Sequence, residues 1–372
     1  MRGVFKLLKG LFKKRGAVGL ELDSGEARAL ELNGSPSAPS LAAMGRVPLP
    51  PGAVSEGMVL QPGAVAEALE KLWHRAGIVT REVILGVFNQ SVLVRIANFP
   101  EVPADKVAQM VRFQAQEHIP VPINTVVLDH AVIGRSSGES GNTLKVLLVA
   151  ARRDMLQSFL DALQAARIKP LDIDVSPLAL VRNLSSQTAR GTVVILDLAL
   201  GLSNLLIISG NAPRLVRLLP MGLQSVADLL DCSPDELTPV LWPQDLQILP
   251  DFLSEVAATQ DHTLTEETPV NRNQGWRDGV LADWAGSLEG EIRSSIGYYL
   301  NQPGSAPVDC LLLSGRGARL EGLAIHLQER LNIPVNVMQP MWGVKYREDT
   351  ARFPAEQDFS VSLGLARRGL EV

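Results

Sequence analysis

A strand–turn–strand unit occurs twice in this chain, and it narrows the available folds more than any other feature. Residues 17–22 (AVGLEL) and 26–32 (EARALEL) are two extended apolar runs, and Asp23-Ser24-Gly25 between them is a turn signal. The second unit starts at 192, with strands expected at 192–198, 203–209 and 213–219. Each first strand ends at an acid beside a short turn, Glu21 to Gly25 and Asp197 to Ser203. A third strand, 309–313, runs into Ser314-Gly315-Arg316-Gly317 and then a helix. Turn amides aimed at phosphate oxygens, an acid near a metal and glycines that let backbone approach a ligand are the parts of a phosphate cradle. Two such halves in 372 residues agree with two or three subdomains.

The remaining pattern sorts into α/β order. Residues 34–62 are rich in Pro, Gly and Ser and read as a long connection, and 63–76 as a helix ended by Gly77. Two strands at 82–88 and 92–97 share the short link Asn89-Gln90-Ser91, and a helix is expected at 103–118, where Pro120 and Pro122 stop it. Strands at 126–133 and 144–151 and a helix at 153–167 complete this block. In the second half, helices are expected at 222–231, 281–300, 321–331 and 359–370, with a strand at 334–338 and a polar surface insertion over about 250–280.

Several function classes drop out. Two cysteines and five scattered histidines give neither a disulfide framework nor a metal cluster. No apolar run is long enough for a membrane span, and the basic N-terminus lacks the features of a signal peptide, so the setting expected is cytoplasmic. Residues 1–16 carry six of the 35 Lys and Arg and none of the 40 Asp and Glu. The body is therefore more acidic than the net charge of −5 suggests, which does not suit a nucleic-acid binder. In the tail, Phe5, Leu8 and Phe12 alternate with Lys6, Lys9 and Lys13 as in a short basic amphipathic helix, which suits an anionic membrane face. A solvated tail with no such role is the other reading.

Four runs carry a resemblance to a known family. They are HIPVPINTVVLDHAVIG at 118–134, AARRDMLQSFLDALQAARIKPLDIDVSPLALVR at 150–182, LLLSGRGARLEGLAIHLQERLNIPVNV at 311–337 and FSVSLGLARRG at 359–369. On these the chain resembles the PilM family of type IV pilus assembly proteins, which is actin-like and related to FtsA, from about 17 to 369. The resemblance implies an α/β, actin-like ATPase fold of two lobes with an inserted FtsA-type subdomain. The implied division is a tail at 1–16, a first core at 17–81 and 177–191, the insert at 82–176, a second lobe at 192–338, and a C-terminal segment at 339–372 that returns to the first core.

The resemblance also implies a nucleotide site for ATP and Mg at Glu21, Asp23, Ser24, Gly25, Arg28, Asp197, Gly201, Ser203, Gly315, Arg316 and Gly317. The loops depart from the family pattern. Asp23 stands in place of glycine and Arg28 in place of lysine, and Leu200 and Leu202 sit among the phosphate-facing positions. A second carboxylate ~4 Å from a phosphate charge costs about 4 kcal/mol at an effective dielectric of 20. Arg316 between the two glycines reads either as a phosphate ligand or as a filler of the cleft. No nucleophile–base pair or carboxylate pair is visible, so hydrolysis is not expected.

The function implied is a scaffold at the cytoplasmic face of the inner membrane that holds the N-terminal peptide of PilN. The groove expected lies between the insert and the first core, with Val107, Met110, Val111, Phe113, Gln114, Ile119 and Pro120 as lining candidates and Phe99-Pro100 as a second edge. For any one apolar member an ordinary core role is the simpler reading. Cytoplasmic motor components and self-association are further implied partners. An actin-like ATPase switch and a cytoplasmic part of a type II secretion-like machine are the alternatives.

Overall fold

The computed structural model describes residues 16–138, 141–238, 279–346 and 355–371. The tail candidates Phe5, Lys6, Leu8, Lys9, Phe12 and Lys13 lie outside the described residues, as does nearly all of the insertion expected at 250–280.

Strand β1 (Ala17–Asp23) is buried along its whole length, as a near-continuous apolar run in the middle of a sheet should be. It pairs antiparallel with β2 (Glu26–Ser35), which pairs with β3 (Ala38–Pro48). After a small ladder of β4 (Val54–Ser55) and β5 (Met58–Val59), helix α1 (Pro62–Ala76) crosses to β6 (Glu82–Val87), which runs parallel to β1. Gly77 in the left-handed conformation ends α1, and the Trp73 indole donates to the Thr80 carbonyl at 2.9 Å.

The chain then leaves this sheet. Strands β7 (Val92–Pro100), β8 (Val126–Gly138) and β9 (Gly141–Arg152) form a separate antiparallel sheet in the order β7-β9-β8, with helix α2 (Ala104–Gln114) between β7 and β8. Helix α3 (Arg153–Ala165) leads back to β10 (Lys169–Val175), the outer strand beside β6.

The second half repeats the first. Strands β11 (Thr192–Leu198), β12 (Ser203–Ser209) and β13 (Ala212–Leu219) form an antiparallel meander. Strand β14 (Cys310–Ser314) joins parallel to β11, and β15 (Val335–Val337) joins β14. The sheet orders β3-β2-β1-β6-β10 and β13-β12-β11-β14-β15 follow one plan.

The C-terminal helix, Ser360–Glu371, lies between the two lobes. Leu363, Ala366 and Leu370 pack on Leu30, Leu32 and Met44 of the first sheet, while Val361 and Leu365 join Val193, Ile195 and Leu206 of the second. A fully buried Leu such as Leu363 contributes about 2 kcal/mol.

Two expectations need correction. The long connection at 34–62 contains β3 and the β4–β5 ladder. A further strand of the first half, β10, was not expected at all, although it forms one edge of the first sheet. The runs at 82–88 and 92–97, expected as consecutive strands, are β6 and β7 and belong to different sheets.

Candidate functional site

The three loops meet between the lobes. The two-residue turn after β1 sets the pairs Asp23↔Glu26 and Glu21↔Arg28 across the hairpin. Arg28 is therefore placed among acids on its own sheet. Its Nε donates to Glu21 Oε2 at 3.2 Å, Nη1 to Glu26 Oε1 at 2.7 Å and Nη2 to Asp23 Oδ2 at 3.2 Å. Arg28 is buried, 2% exposed. Burial works against its charge, yet the carboxylates of Glu21, Glu26 and Asp23 hold its pKa well above the ordinary value.

The first and second loops are bonded directly. The Leu200 amide donates to Asp23 Oδ2 at 3.0 Å, and the Ser24 amide to Asp23 Oδ1 at 2.7 Å. A Cβ on Gly201 would lie 2.3 Å from Ser24 Oγ, so glycine is what allows this approach. The third loop closes in the same way. A Cβ on Gly317 would lie 2.5 Å from Leu198 Cβ, and Gly315, at φ +72°, lies against the Leu198 carbonyl. Arg316, 3% exposed, pairs with Asp235, donates from Nε to Thr238 Oγ1 at 2.9 Å, and lies 3.7 Å from Glu26 Oε2. Arg319 next to it makes a two-pronged pair with Asp358 at 3.0 and 2.9 Å.

A void of about 30 Å³ lies beside the first two loops, lined by Glu21, Asp23, Leu202 and Asn204 together with Gly57, Phe88 and Phe159. That holds a water or two, whereas ligand sites run to several hundred Å³. The chemistry disagrees with a phosphate as well. Asp197 Oδ1 and Asn204 Oδ1, acceptors like phosphate oxygens, are buried without hydrogen-bond partners among the described residues, and the neighbouring Ser203 and Ser314 hydroxyls are the only donors left unpaired beside them there. Burial drives the Glu21 pKa from 4.5 up to about 8, against the pull of Arg28 and with Asp197 and Asp23 adding to the rise. Burial raises Asp23 and Asp197 too. The residues expected at the nucleotide site are thus brought together, but around each other. As arranged, they do not fit the phosphates of ATP, and among the described residues no acid or His/Cys group is set to hold a metal. Ser203, opposite Leu198 at the start of β12, is fully buried, and Gly25 at the turn is exposed, with Leu200 Cδ1 at 3.8 Å from the position of its Cβ. Sequence reasoning missed Glu26, Asp235, Thr238 and Asp358.

The peptide candidates are divided. Val107 and Val111 are buried against Ala97, Phe99, Leu144, Val146 and Leu148, and Ile119 against Ala115, Val126 and Ala150. These seal one face of the β7-β9-β8 sheet. Met110 and Gln114 are half-buried, and Pro120 and Phe113 are exposed, Phe113 by 84%. Side chains alternate along β9, so Leu147 and Ala151 point away from α2 and join the core of the first lobe. Helix α2 therefore covers the face of this sheet that is turned away from the first-lobe core.

A groove of about 800 Å³ does lie on that other face. Its walls are residues 127–131 of β8, Leu147 and Val149 of β9, Leu156 and Leu160 of α3, and residues 170–175 of β10. Both β8 and β10 are terminal strands of their sheets, so each offers unpaired backbone along one side. Leu171, beside a register shift in β10, is 45% exposed, and Val127 is 42% exposed. Arg368 of the C-terminal helix holds Asp172, with Nε at 3.0 Å, and lies 3.2 Å from Asp174. The signal for this groove was the alternation Leu171, Ile173, Val175, broken by Pro170.

Comparison with solved structures gives a PilM-PilN type IV pilus biogenesis complex at 26% identity and TM-score 0.76, covering 96% of this chain and 99% of that one. The ethanolamine utilization protein EutJ from Carboxydothermus hydrogenoformans matches at 12% identity and TM-score 0.48, over 94% of this chain and 88% of that one. MreB 5 of Spiroplasma citri bound to AMPPNP matches at 10% identity and TM-score 0.46, over 94% and 95%. The fold is actin-like, with two lobes. A family model for the type IV pilus assembly protein PilM matches residues 19–224 and 261–370. The chain belongs to the type IV pilus assembly protein PilM family.

Proposed function

We propose that this chain is a cytoplasmic scaffold of the type IV pilus inner-membrane platform, and that it captures the N-terminal peptide of PilN in the groove between β8 and β10. The likeness to a PilM-PilN complex over nearly the whole chain supports the partner. The observation that carries the site is the open groove of about 800 Å³ between two unpaired strand edges. An extended peptide adds main-chain hydrogen bonds at such an edge and sets alternate side chains into pockets. Apolar residues suit the Leu147, Val149 and Leu160 wall. Asp129, exposed and without a cation partner among the described residues, suits a basic group. Among the described residues no helix is long and apolar enough to cross a membrane, so the scaffold reading gives the membrane attachment to the partner.

Nucleotide binding is a feature of some proteins with this fold, and it is not what this cleft is arranged for. The reading is a scaffold whose lobes are held by internal ion pairs, with no ATP cycle.

Titration of the full chain with a synthetic PilN N-terminal peptide tests the groove. Leu171→Glu puts a charge on the apolar wall at an exposed position and lowers peptide affinity at least about tenfold with the melting temperature kept. Equal affinity in the variant means that the peptide binds elsewhere.

A further inference from the structure

A second concavity, about 900 Å³, lies across the same sheet at the junction with the second lobe. Its residues come from β7, β8 and β9 on one side and from β13 and the helix Val280–Leu300 on the other. It has a marked charge bias. Arg95, Arg135, Lys145, Arg214 and Arg217 line it, and no Asp or Glu does. The whole chain has more acids than bases, 40 against 35, so this accumulation runs against the composition.

Two of the five cations are answered from outside the rim. Arg217 pairs with Glu291, and Arg135 lies 3.1 Å from Glu101. Lys145 and Arg214 have no acid partner among the described residues and face the groove, whereas Arg95, opposite Leu148, stands on the α2 face of the sheet and reaches only the rim. Lys145 and Arg214 stand on strands of different sheets, β9 and β13, and repel each other. Burial and that repulsion together lower the Lys145 pKa. Lys145 and Arg214, held near each other with no acid of their own among the described residues, are an arrangement that an anion relieves.

The floor decides what kind of anion. Ile96, Ile133 and Val216 are half-buried and pack on the first-lobe core, and Leu215 packs on the second. The groove also takes in contiguous runs of two terminal strands, 133–136 of β8 and 214–217 of β13. A free phosphate has no use for an apolar floor or a strand edge. An extended chain uses both, with alternate side chains facing the floor and the cations.

We propose that this groove docks a strongly acidic, extended segment of a partner protein, bridging the inserted sheet and the second lobe. It is separate from the groove beside β10 and does not rest on the PilN reading.

The test is fluorescence anisotropy of the full chain with a labelled peptide of alternating Glu and Val, and with its Gln/Val counterpart. The expected result is saturable binding of the Glu/Val peptide only. That affinity falls at least about tenfold in Lys145→Gln/Arg214→Gln. It is unchanged in Lys9→Gln/Lys13→Gln, which removes charge from the basic tail instead. An unchanged urea-unfolding midpoint in the Lys145→Gln/Arg214→Gln variant shows that the chain is still folded. Equal affinity in that variant, loss of binding in the tail variant, or no binding of the Glu/Val peptide overturns the proposal. Binding of inorganic pyrophosphate at Lys145 and Arg214 without binding of the Glu/Val peptide also overturns it, in favour of a small phosphate ligand.

Discussion

At the scale of single residues, Arg28 decides what the cleft is. It is fully buried, and three carboxylates of its own hairpin accept its hydrogen bonds. Removing one partner of such a cluster strands the others without compensation. Arg28→Ala is therefore expected to cost about 3–5 kcal/mol, read from urea unfolding. Glu21 gives a pH dependence whose sign follows from its raised pKa. Between 4.5 and about 8 the folded chain keeps a proton that the unfolded chain releases, so this group's contribution to stability falls as pH rises through that window. Glu21→Gln removes the dependence. The drop in urea midpoint between about pH 6 and about pH 9 is expected to be smaller in the variant than in the parent. An equal drop would assign the effect to other groups. The hairpin was legible in the sequence, but the Glu21–Arg28 pairing was not, because the turn reads as three residues, Asp23-Ser24-Gly25, and the structure closes it with two. Nor were Asp235 and Asp358, because they reach the cluster from distant parts of the chain.

At the scale of elements, the sequence was plain wherever a run was buried on both faces. Strands β1, β11 and β12 are of that kind, and their apolar runs mark them without help from context. The two longest strands that escaped notice, β3 and β10, are the two edges of one sheet. Edges tolerate proline and polar residues, and Pro39, Pro48 and Pro170 mask their pattern. The lining residues expected on helix α2 came from the family resemblance. The apolar stripe of that helix, Val107 and Val111, has the spacing of a groove wall, but it also has the spacing of a helix covering its own sheet, which is its place here. Val111→Ala is expected to lower stability by about 2 kcal/mol. Phe113→Ala, at an exposed position on the same helix, should leave PilN-peptide affinity as it is. A loss of peptide affinity in Phe113→Ala with the fold intact would return the groove to α2.

At the scale of the whole molecule, two sheets of one plan face each other across a shared helix, and a third sheet extends beside them. The repeat was legible from two hairpins, but the closure of the cleft between them was not, since it depends on how near two loops come. Gly201 against Ser24 and Gly317 against Leu198 set that distance. The departures from the family pattern, Asp23 and Arg28, supply the ion pairs and hydrogen bonds found there. On this account the molecule is a peptide holder, with a groove open on its flank and a cleft filled by its own side chains. Calorimetric titration of the full chain with the PilN N-terminal peptide, with and without Mg-ATP, tests this most directly. The account predicts one peptide site with the same affinity in both conditions and no heat from Mg-ATP alone. Peptide binding that appears or strengthens only with Mg-ATP would contradict it, because the cleft would then have to open around a nucleotide.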